Sequence, residues 1–439
     1  MSSTDPGRTD SGCARPLRIG LAGLGTVGGG VARLLQGNGD AIARRAGRRL
    51  ELVAITARDR HRDRGCDLSP CRWHDDPVAL AQDPEIDVAV ELIGGEEGVA
   101  GALVEAALGA GRPVVTANKA LLARHGAALG RLALDRGTAL AFEAAVCGGI
   151  PVIKTLREGL AANRFSRVFG ILNGTCNYVL SQMRETGRPF AEVLAEAQSL
   201  GYAEADPTLD IDGFDTAHKL AILTAVAFDV PVDIDAVYLE GIRHISPLDI
   251  EYADELGYRI KLLGTAARTA HGIEQRVHPT MVPESEPLAR VDGVENAVVI
   301  EGDPVGRIVL QGPGAGAGAT ASAVVADLID IARGRTLPSF VTAPEPGLAV
   351  AMIGEHDGPY YVRIMVMDQP GVIADIASEL RNEQVSVEAL IQRRHQPGRP
   401  VPVVLTTHPS QEAPLARALA QIGQLGTVVE KPRMIRIEP

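Results

Sequence analysis

An acidic segment around a single lysine is the part of the sequence best suited to chemistry. Residues 201–219 read GYAEADPTLDIDGFDTAHK, and the chain that follows is apolar. The acidic residues before Lys219 are Glu204, Asp206, Asp210, Asp212 and Asp215. If a helix begins near Asp212, Asp215 and Lys219 lie four residues apart on one face and can pair. Such a pair could belong to a functional site, and a capped surface helix with a routine ion pair is the alternative interpretation.

A glycine-rich segment near the start of the chain indicates a second site. Gly23, Gly25 and Gly28 have the spacing G-x-G-x-x-G between an apolar segment and an amphipathic one. Such glycines permit a tight turn and bring a helix N-terminus close to a pyrophosphate. The pattern predicts a dinucleotide site, and a glycine-rich turn without a ligand is the alternative.

The choice of dinucleotide depends on the residue after the second predicted strand. An NAD-selective site usually has an acidic residue there, to bind the ribose diol. Here the segment reads ITARDRHRDR, so the first residue after the strand is Arg58. A guanidinium suits a 2′-phosphate, so Arg58 favours NADP, while use of NAD stays open.

Strand and helix patterns alternate through the first third of the chain. The apolar runs LRIGLAG, LELVAITA, IDVAVELIG and RPVVTAN are separated by helical patterns. This alternation predicts an α/β fold with a Rossmann-type doubly wound parallel sheet. A second, α+β domain for substrate binding and dimerisation is expected next, and the tail has the order βαββαβ of a ferredoxin-like domain.

The predicted domain boundaries follow these changes of pattern. Proline and glycine are dense at 338–358, as in a linker, and the helix before it is apolar enough to pack against the first domain. The organisation is a disordered leader (1–16), an NAD(P)-binding domain (17–147), a substrate domain (148–311), a returning helix (312–337), a linker (338–358) and a regulatory tail (359–439).

Composition limits the classes of function. The 439 residues are 46% hydrophobic and carry a net charge of −12, which argues against a nucleic-acid partner. No apolar run approaches the roughly 20 residues of a membrane helix, and the start lacks the apolar core of a signal peptide. Five scattered cysteines suit reduced thiols. We therefore expect a cytoplasmic protein, without a membrane partner, that acts on small molecules.

Seven stretches in order resemble the homoserine dehydrogenase family. They are GLAGLGTVG (20–28), ELIGG (91–95), TANKALLA (116–123), EAAVCGGIPVI (143–153), GILNGTCNY (170–178), GYAEADPTLDIDGFDTAHK (201–219) and GPGAGAGATASAV (312–324). The resemblance runs from about residue 17 to the C-terminus. The tail is similar to an ACT domain, an effector-binding module.

The resemblance implies an NAD(P)-dependent oxidoreductase that reversibly reduces L-aspartate 4-semialdehyde to L-homoserine, toward threonine, isoleucine and methionine. It implies that Lys219, beside Asp215, gives the proton and that Lys119 lies between cofactor and substrate; which lysine transfers the proton stays open. The residues expected to bind homoserine are Glu204, Asp210, Asp215 and Thr175. Those expected to contact the dinucleotide are Gly23, Gly25, Thr26, Val27, Gly28, Arg58, Ile93, Gly94, Lys119, Gly201 and Gly316.

The family also implies a sodium-like monovalent cation on one loop. Its expected ligands, largely backbone carbonyls, are Glu143, Val146, Gly148 and Ile150. A hard cation prefers oxygen ligands, and a tight turn without an ion is the alternative. One departure from the family is Cys176, where a second threonine is common; Thr175 is in place.

The tail offers a candidate effector site. Asp368 and the turn at Gly371 precede a helix beginning at Val372, whose N–H groups can bind an amino-acid carboxylate. Resemblance to ACT domains implies feedback inhibition by threonine in a homodimer or homotetramer, and a tail that only dimerises is the alternative.

Two further hypotheses stay open at this point. One is another NADP reductase of an amino-acid pathway, against which the ordered motif around Lys219 argues. The other is a catalytically idle sensor that binds nucleotide and amino acid. Against that sensor, every catalytic position is present in the sequence.

Overall fold

The computed structural model describes residues 15–340, 351, 353–393 and 398–438. Three predicted features therefore lie wholly or partly outside the described residues: the leader, the linker and the turn HQPGRP at 395–400. The described chain forms two compact units, one of residues 15–149 with 316–340 and one of residues 150–315 with those from 351 onward. Among the described residues, no helix is both long and apolar enough to cross a membrane.

The first unit contains a six-stranded parallel sheet. Its strands are β1 (Leu17–Ala22), β2 (Leu50–Thr56), β3 (Arg72–Trp73), β4 (Val88–Glu91), β5 (Val114–Thr116) and β6 (Leu140–Ala141). The connecting helices are α1 (Thr26–Gly37), α2 (Gly39–Ala46), α3 (Pro77–Gln82), α4 (Val99–Gly109) and α5 (Lys119–Asp135). The strand order is β3-β2-β1-β4-β5-β6, which confirms the predicted Rossmann-type fold. The order reverses between β1 and β4, so a crevice opens at the carboxyl ends of these strands.

The second unit is an α+β arrangement, as predicted. Its first elements are α6 (Val152–Lys154) with a π-helical turn (Thr155–Gly159), β7 (Arg164–Ile171), α7 (Gly174–Thr186), α8 (Phe190–Ser199), α9 (Thr208–Ile211), α10 (Phe214–Phe228), β8 (Tyr238–Leu239), α11 (Pro247–Glu255), β9 (Tyr258–Thr269), β10 (Gly272–Pro283), a 3-10 turn (Pro287–Arg290), β11 (Glu295–Asp303) and β12 (Gly306–Pro313). Strands β9 and β10 form a long antiparallel pair, and α7, α10 and α11 pack against β9.

Helix α12 (Ala317–Ala332) belongs to the first unit and packs against α1. Val324 and Leu328 of α12 share one apolar core with Val31 of α1 and the strands β1, β2 and β4. The approach is close, because a β-carbon at Gly30 would lie 2.6 Å from the carbonyl oxygen of Ala317. This contact fixes α1, and therefore its N-terminus, against the sheet.

The tail has the predicted order βαββαβ, which confirms the ferredoxin-like fold. Its elements are a 3-10 turn (Ile353–Glu355), β13 (Asp357–Gly358), β14 (Tyr360–Met367), α13 (Val372–Asn382), β15 (Val387–Ile391), β16 (Pro400–Thr407), β17 (Ser410–Gln411), α14 (Glu412–Ile422) and β18 (Arg433–Ile437). Strand β18 pairs with β14 on one side and with β10 on the other. One continuous sheet, β12-β11-β7-β9-β10-β18-β14-β16-β15, thus joins the tail to the strands of the second unit.

Candidate active site

The turn after β1 gathers the three glycines of the predicted phosphate loop. Gly23 has a φ of 95°, a left-handed conformation that favours glycine, and a β-carbon there would overlap the backbone after β4. A β-carbon at Gly28 would overlap the carbonyl oxygen of Gly23, so α1 can lie this close only with glycine. Gly25, the N-cap of α1, has open space around it. The first helical residues, Thr26 and Val27, thus present N–H groups that suit a pyrophosphate.

A cleft of about 790 Å³ lies beside this turn in the first unit. That volume is in the range of cofactor sites, roughly 300–1,000 Å³. The predicted dinucleotide contacts that line it are Gly23, Gly25, Arg58, Ile93 and Gly94. The sequence therefore identified residues from three separate segments that the fold brings to one cleft.

The arginines after β2 divide into two roles. Arg58, Arg62 and Arg64 line the cleft. Arg64 is buried, and its guanidinium donates to backbone carbonyls of the glycine turn and of its own loop. Arg60 lies over the ring of Trp73, with 5.0 Å between the guanidinium carbon and the ring centroid. Arg60 and Arg64 therefore shape the loop, whereas Arg58 and Arg62 are available to a ligand.

Lys219 is the centre of a buried polar cluster in the second unit. Only 9% of the residue surface is exposed. Its Nζ donates to Oδ2 of Asp215 at 2.7 Å and to the backbone oxygen of Leu172 at 2.7 Å. The spacing of four residues therefore produces the pair that the sequence predicts, but in a buried setting and not on a surface helix.

Helix α10 begins two residues later than the sequence suggested. Gly213 precedes it with a left-handed φ of 88°, so the helix starts at Phe214 and not near Asp212. Asp212 instead pairs with Arg243 at 2.5 Å. Asp206 accepts a hydrogen bond from the backbone of the turn that leads into α9. These two carboxylates have structural partners and do not belong to the cluster around Lys219.

Asn173, which the sequence patterns did not single out, links the two carboxylates of the cluster. Its Nδ2 donates to Asp210 Oδ1 at 2.8 Å and to Asp215 Oδ2 at 2.9 Å. Its Oδ1 accepts from the backbone N–H of Cys176 and caps α7. An asparagine at a strand-to-helix junction is a recognisable capping signal, but capping alone does not point to a site.

Thr175 and Asn296 also contact the cluster. The Thr175 hydroxyl donates to the backbone oxygen of Tyr202 at 2.7 Å and lies 3.3 Å from Asp210 Oδ2. Asn296 donates to the same Leu172 oxygen that accepts from Lys219, at 2.9 Å. The fold thus brings together four of the predicted residues: Thr175, Asp210, Asp215 and Lys219.

The Asp210 carboxyl has a raised pKa within this cluster. Burial raises the pKa of the Asp210 carboxyl, and the charge of Asp215 raises it further, while Asn173 and Lys219 act in the opposite direction. A cationic group bound here would offset both unfavourable effects. Burial also raises the pKa of the Cys176 thiol well above its usual value, so this cysteine is a neutral packing residue and not a nucleophile.

Other predicted residues lie apart from the cluster. Glu204 is exposed, and Gly201, with a φ of 77°, follows the end of α8. Gly316 caps α12 in the first unit. Lys119 is half-buried and is the first residue of α5, also in the first unit. The two candidate proton donors, Lys119 and Lys219, therefore come from different units.

The predicted cation loop supplies oxygen atoms. Glu143 is buried and opens a 3-10 turn (Glu143–Ala145), where its N–H donates to Asp327 of α12. Val146 and Gly148 are buried in the first unit, and Ile150 begins the second. Within the described parts of the chain, no group of three or more His, Cys, Asp or Glu side chains is arranged to hold a metal. A cation in this loop would rely on backbone carbonyls, which suit a hard ion.

The predicted effector residues lie at the start of α13. Gly371 is the N-cap, with a φ of 94°, and Val372 is buried as the first helical residue. Asp368 donates its N–H to the backbone oxygen of Arg399 at 3.0 Å, which fixes the preceding turn.

Replacing Asp210 should stabilise the unliganded protein. A carboxyl whose pKa is higher in the folded state than the unfolded value of about 3.9 stabilises the fold at low pH, where the carboxyl is protonated. That stability is lost as the pH rises through the folded-state pKa. Asp210→Asn should therefore melt at a higher temperature than wild type at pH 7–8, and the gain should disappear near pH 4. Thermal melts across this range measure it. Asp206→Asn is the control, because the pKa of the Asp206 carboxyl is lowered and its removal should not raise the melting temperature. Equal melting temperatures for Asp210→Asn and wild type at pH 8 would contradict the expectation.

Comparison with known proteins covers nearly the whole chain. The family model "Homoserine dehydrogenase, NAD binding domain" matches residues 23–143, "Homoserine dehydrogenase" matches 151–329 and "ACT domain" matches 360–425. The homoserine dehydrogenase of Pseudomonas aeruginosa is 46% identical over 97% of this chain and 99% of its own length. That of Neisseria gonorrhoeae is 47% identical, with the same coverage.

Solved structures agree with these relatives. A homoserine dehydrogenase from Thiobacillus denitrificans superposes with a TM-score of 0.92 at 45% identity, covering 97% of this chain and 98% of that one. A hyperthermophilic archaeal homoserine dehydrogenase in complex with NADPH has a TM-score of 0.62 at 28% identity, covering 72% of this chain and 97% of its own. The chain therefore belongs to the homoserine dehydrogenase family of oxidoreductases and carries a C-terminal ACT domain.

Proposed function

We propose that, in the homoserine dehydrogenase reaction of this chain, Lys219 delivers the proton to the aldehyde oxygen of L-aspartate 4-semialdehyde. The observation that carries the proposal is the buried Lys219 ammonium, held by Asp215 and by the Leu172 carbonyl at 2.7 Å each. A general acid must be fixed within hydrogen-bond reach of its acceptor, and two short hydrogen bonds fix this one. The ammonium also stabilises the negative charge that develops on the oxygen.

The reduction balances with Lys219 as the acid. The hydride for the carbonyl carbon would come from a dihydronicotinamide bound in the cleft of the first unit. The electrons of the C=O π bond move to oxygen, which takes a proton from Nζ of Lys219 and becomes the hydroxyl of homoserine. Nζ is then a neutral amine, which solvent reprotonates; in the oxidation direction, that amine removes the proton. Lys119, half-buried at the start of α5, is the alternative acid.

The substrate ammonium is assigned to the carboxylates. The pKa of Asp210 is raised because the half-buried carboxyl loses solvation and lies near the charge of Asp215, and a cation beside it would relieve that cost. Thr175 lies against Asp210 and can orient the same part of the substrate. Glu204 is exposed, so we assign it a contact with the substrate ammonium that forms only once the substrate is bound.

Lys219→Ala should lower kcat by about 100- to 10,000-fold, the usual contribution of a general acid. The assay follows NADPH oxidation with aspartate semialdehyde. Lys261→Met is a matched control, because Lys261 is also buried and its ammonium donates to a carbonyl and to Asp292. The control should lose thermal stability and keep its kcat.

Three outcomes separate the alternatives in this assay. Equal kcat values for Lys219→Ala and wild type would remove Lys219 from the proton transfer. A larger loss with Lys119→Ala than with Lys219→Ala would assign the proton to Lys119. No NADPH oxidation by wild type would favour the idle sensor or a reductase with another substrate.

We also propose that NADPH is preferred over NADH. Arg58 and Arg62 line the cleft after β2, where the 2′-phosphate of the adenosine ribose would lie. Asp59 lines the same cleft and could serve a ribose diol, so NAD stays the second choice. The archaeal relative described in complex with NADPH supports the preference.

Arg58→Ala should raise the KM for NADPH roughly tenfold or more and leave the KM for NADH unchanged. A hydrogen bond to a charged group contributes about 1.5–3 kcal/mol, which sets the size of the effect. Arg60→Ala is the control in the same loop, because its guanidinium lies over Trp73 and outside the lining of the cleft. Steady-state kinetics with both dinucleotides measure the change, and equal losses with NADPH and NADH would reject the 2′-phosphate assignment.

A sodium-like cation on the loop of Glu143, Val146, Gly148 and Ile150 is a structural proposal. The buried carboxylate of Glu143 and the backbone oxygens of this segment form a donor set that fits a hard monovalent ion. The ion would stabilise this loop and takes part in no step of the reaction.

We further propose a cytoplasmic enzyme of threonine, isoleucine and methionine biosynthesis. Cys66, Cys71 and Cys176 are free thiols, which supports a reducing compartment. The aldehyde substrate and the alcohol product assigned to the family place this reaction on the route to these three amino acids.

The last proposal is feedback inhibition by threonine bound at the start of α13, in a homodimer or homotetramer. Support comes from a charged contact that crosses from the tail to the rest of the second unit. Arg436 of β18 is fully buried and donates to Glu412 of α14 at 2.7 Å and to Glu240 at 3.0 Å. Glu240 thus connects the last strand of the tail with the segment after β8.

That segment in turn contacts the helix that carries a substrate carboxylate. The N–H of Ile242 donates to the carbonyl of Ile211, the last residue of α9, at 3.0 Å. A β-carbon at Gly241 would overlap the same carbonyl, so the two backbones are in direct contact. Because Asp210 is on α9, a shift of β18 can reach the substrate site through backbone contacts.

Glu240→Gln should weaken threonine inhibition without changing the uninhibited rate. We expect the threonine concentration for half inhibition to rise about fivefold or more, as for typical coupling between sites. Glu284→Gln, which loses a partly exposed ion pair with Arg259, is the control and should be inhibited like wild type. Sedimentation gives the oligomer in parallel. Absence of any threonine effect on wild type would leave the tail a dimerisation module only.

A further inference from the structure

Glu91 is a buried carboxylate in the first unit to which no role is assigned above. It is the last residue of β4, and none of its surface is exposed. Burying a carboxylate is unfavourable unless donors surround it. Three donors do so: the N–H groups of Ile93 and Gly94 reach Oε1 at 2.8 and 2.9 Å, and the Thr116 hydroxyl reaches Oε2 at 2.5 Å.

The two backbone donors belong to the wall of the dinucleotide cleft. Ile93 and Gly94 line it, and Gly94 has a left-handed φ of 85°. By turning both N–H groups inward, Glu91 fixes the path of the chain after β4. The same stretch lies against Gly23, where a β-carbon would overlap the carbonyl of Leu92. Its position is therefore set relative to the phosphate loop.

The third donor extends the network to the next strand. Thr116 ends β5, directly opposite Glu91 in the sheet, and is also fully buried. Its oxygen accepts from the N–H of Asn118 at 2.9 Å. The Asn118 side chain donates to the carbonyl of Gly95 at 2.7 Å and caps α5 by accepting from Leu121. Glu91, Thr116, Asn118 and the 93–95 segment thus form a closed ring of hydrogen bonds.

The ring lies at the carboxyl ends of β4 and β5, where the nicotinamide half of a dinucleotide would bind. In a fold with this strand order the two halves of a dinucleotide lie on opposite sides of the switch point between β1 and β4. The adenosine half belongs with β2 and Arg58, so the nicotinamide half belongs with the ends of β4 and β5. Lys119 follows the capping residue Asn118 as the first residue of α5.

We infer that Glu91, Thr116 and Asn118 form a positioning network for hydride transfer. Glu91 holds the Ile93–Gly94 wall against the nicotinamide, and through Thr116 and Asn118 it holds the N-terminus of α5, with Lys119, in the same register. The network touches neither the substrate nor the transferred proton. It rests on the family's use of a dinucleotide and is independent of which lysine is the acid.

Thr116→Val and Thr116→Ser test the network as a matched pair. Valine keeps the shape and removes the hydroxyl that joins Glu91 to Asn118, whereas serine restores it. Thr116→Val should lower kcat about 10- to 100-fold, because small errors in the alignment of reactants have effects of this size. With NADPH deuterated at the transferred position, its isotope effect on kcat should exceed that of wild type. Thr116→Ser should match wild type in both.

Glu91→Gln is the second variant, because its oxygen can still accept from both backbone N–H groups while its amide can only donate to Thr116, whose hydroxyl proton then loses its acceptor. Its loss of kcat should lie between those of Thr116→Ser and Thr116→Val. Affinity for 2′,5′-ADP, which contains only the adenosine half, should stay at the wild-type value in all three variants. A Thr116→Val enzyme with lower thermal stability but wild-type kcat and isotope effect would make the network purely structural and overturn the inference.

Discussion

The buried pair of Lys219 and Asp215 is the interaction on which the second unit depends. Two charges out of water are costly, and their attraction compensates only if the remaining donors and acceptors are also satisfied. The Leu172 carbonyl supplies a second acceptor for the ammonium, and Asn173 supplies a donor to Asp215. The end of β7, the start of α7 and the face of α10 are therefore held together by one polar cluster.

Asp210 is unfavourably placed in this cluster, since the pKa of its carboxyl is raised by burial and by the charge of Asp215. A protein selected only for stability would have an amide at this position. Stability given up at one carboxylate is a common cost of a binding site, because the interaction becomes favourable only when the ligand arrives.

The sequence predicted local features well and long-range ones poorly. Glycine spacing and the alternation of strands and helices predicted the Rossmann-type unit, and the four-residue spacing predicted the pair of Asp215 and Lys219, because each depends on neighbours along the chain. The start of α10 could be placed only to within two residues, because Gly213, in a left-handed conformation, precedes the helix. Pairing of β18 with β10 and the role of Asn173 depend on contacts between distant segments, which no periodicity encodes.

Two carboxylates, the fully buried Glu91 and the half-buried Asp210, illustrate how positioning and binding groups differ physically. Glu91 is surrounded by three protein donors, so its charge is already stabilised and its effect is to hold two loops. Asp210 has an amide and a hydroxyl near it, and these do not offset burial and the neighbouring charge of Asp215. A carboxylate whose donors are all supplied by the fold has little to gain from a ligand, whereas one left short of positive charge gains most from a cation. The same residue type can therefore organise a cofactor cleft in one unit and hold a substrate ammonium in the other.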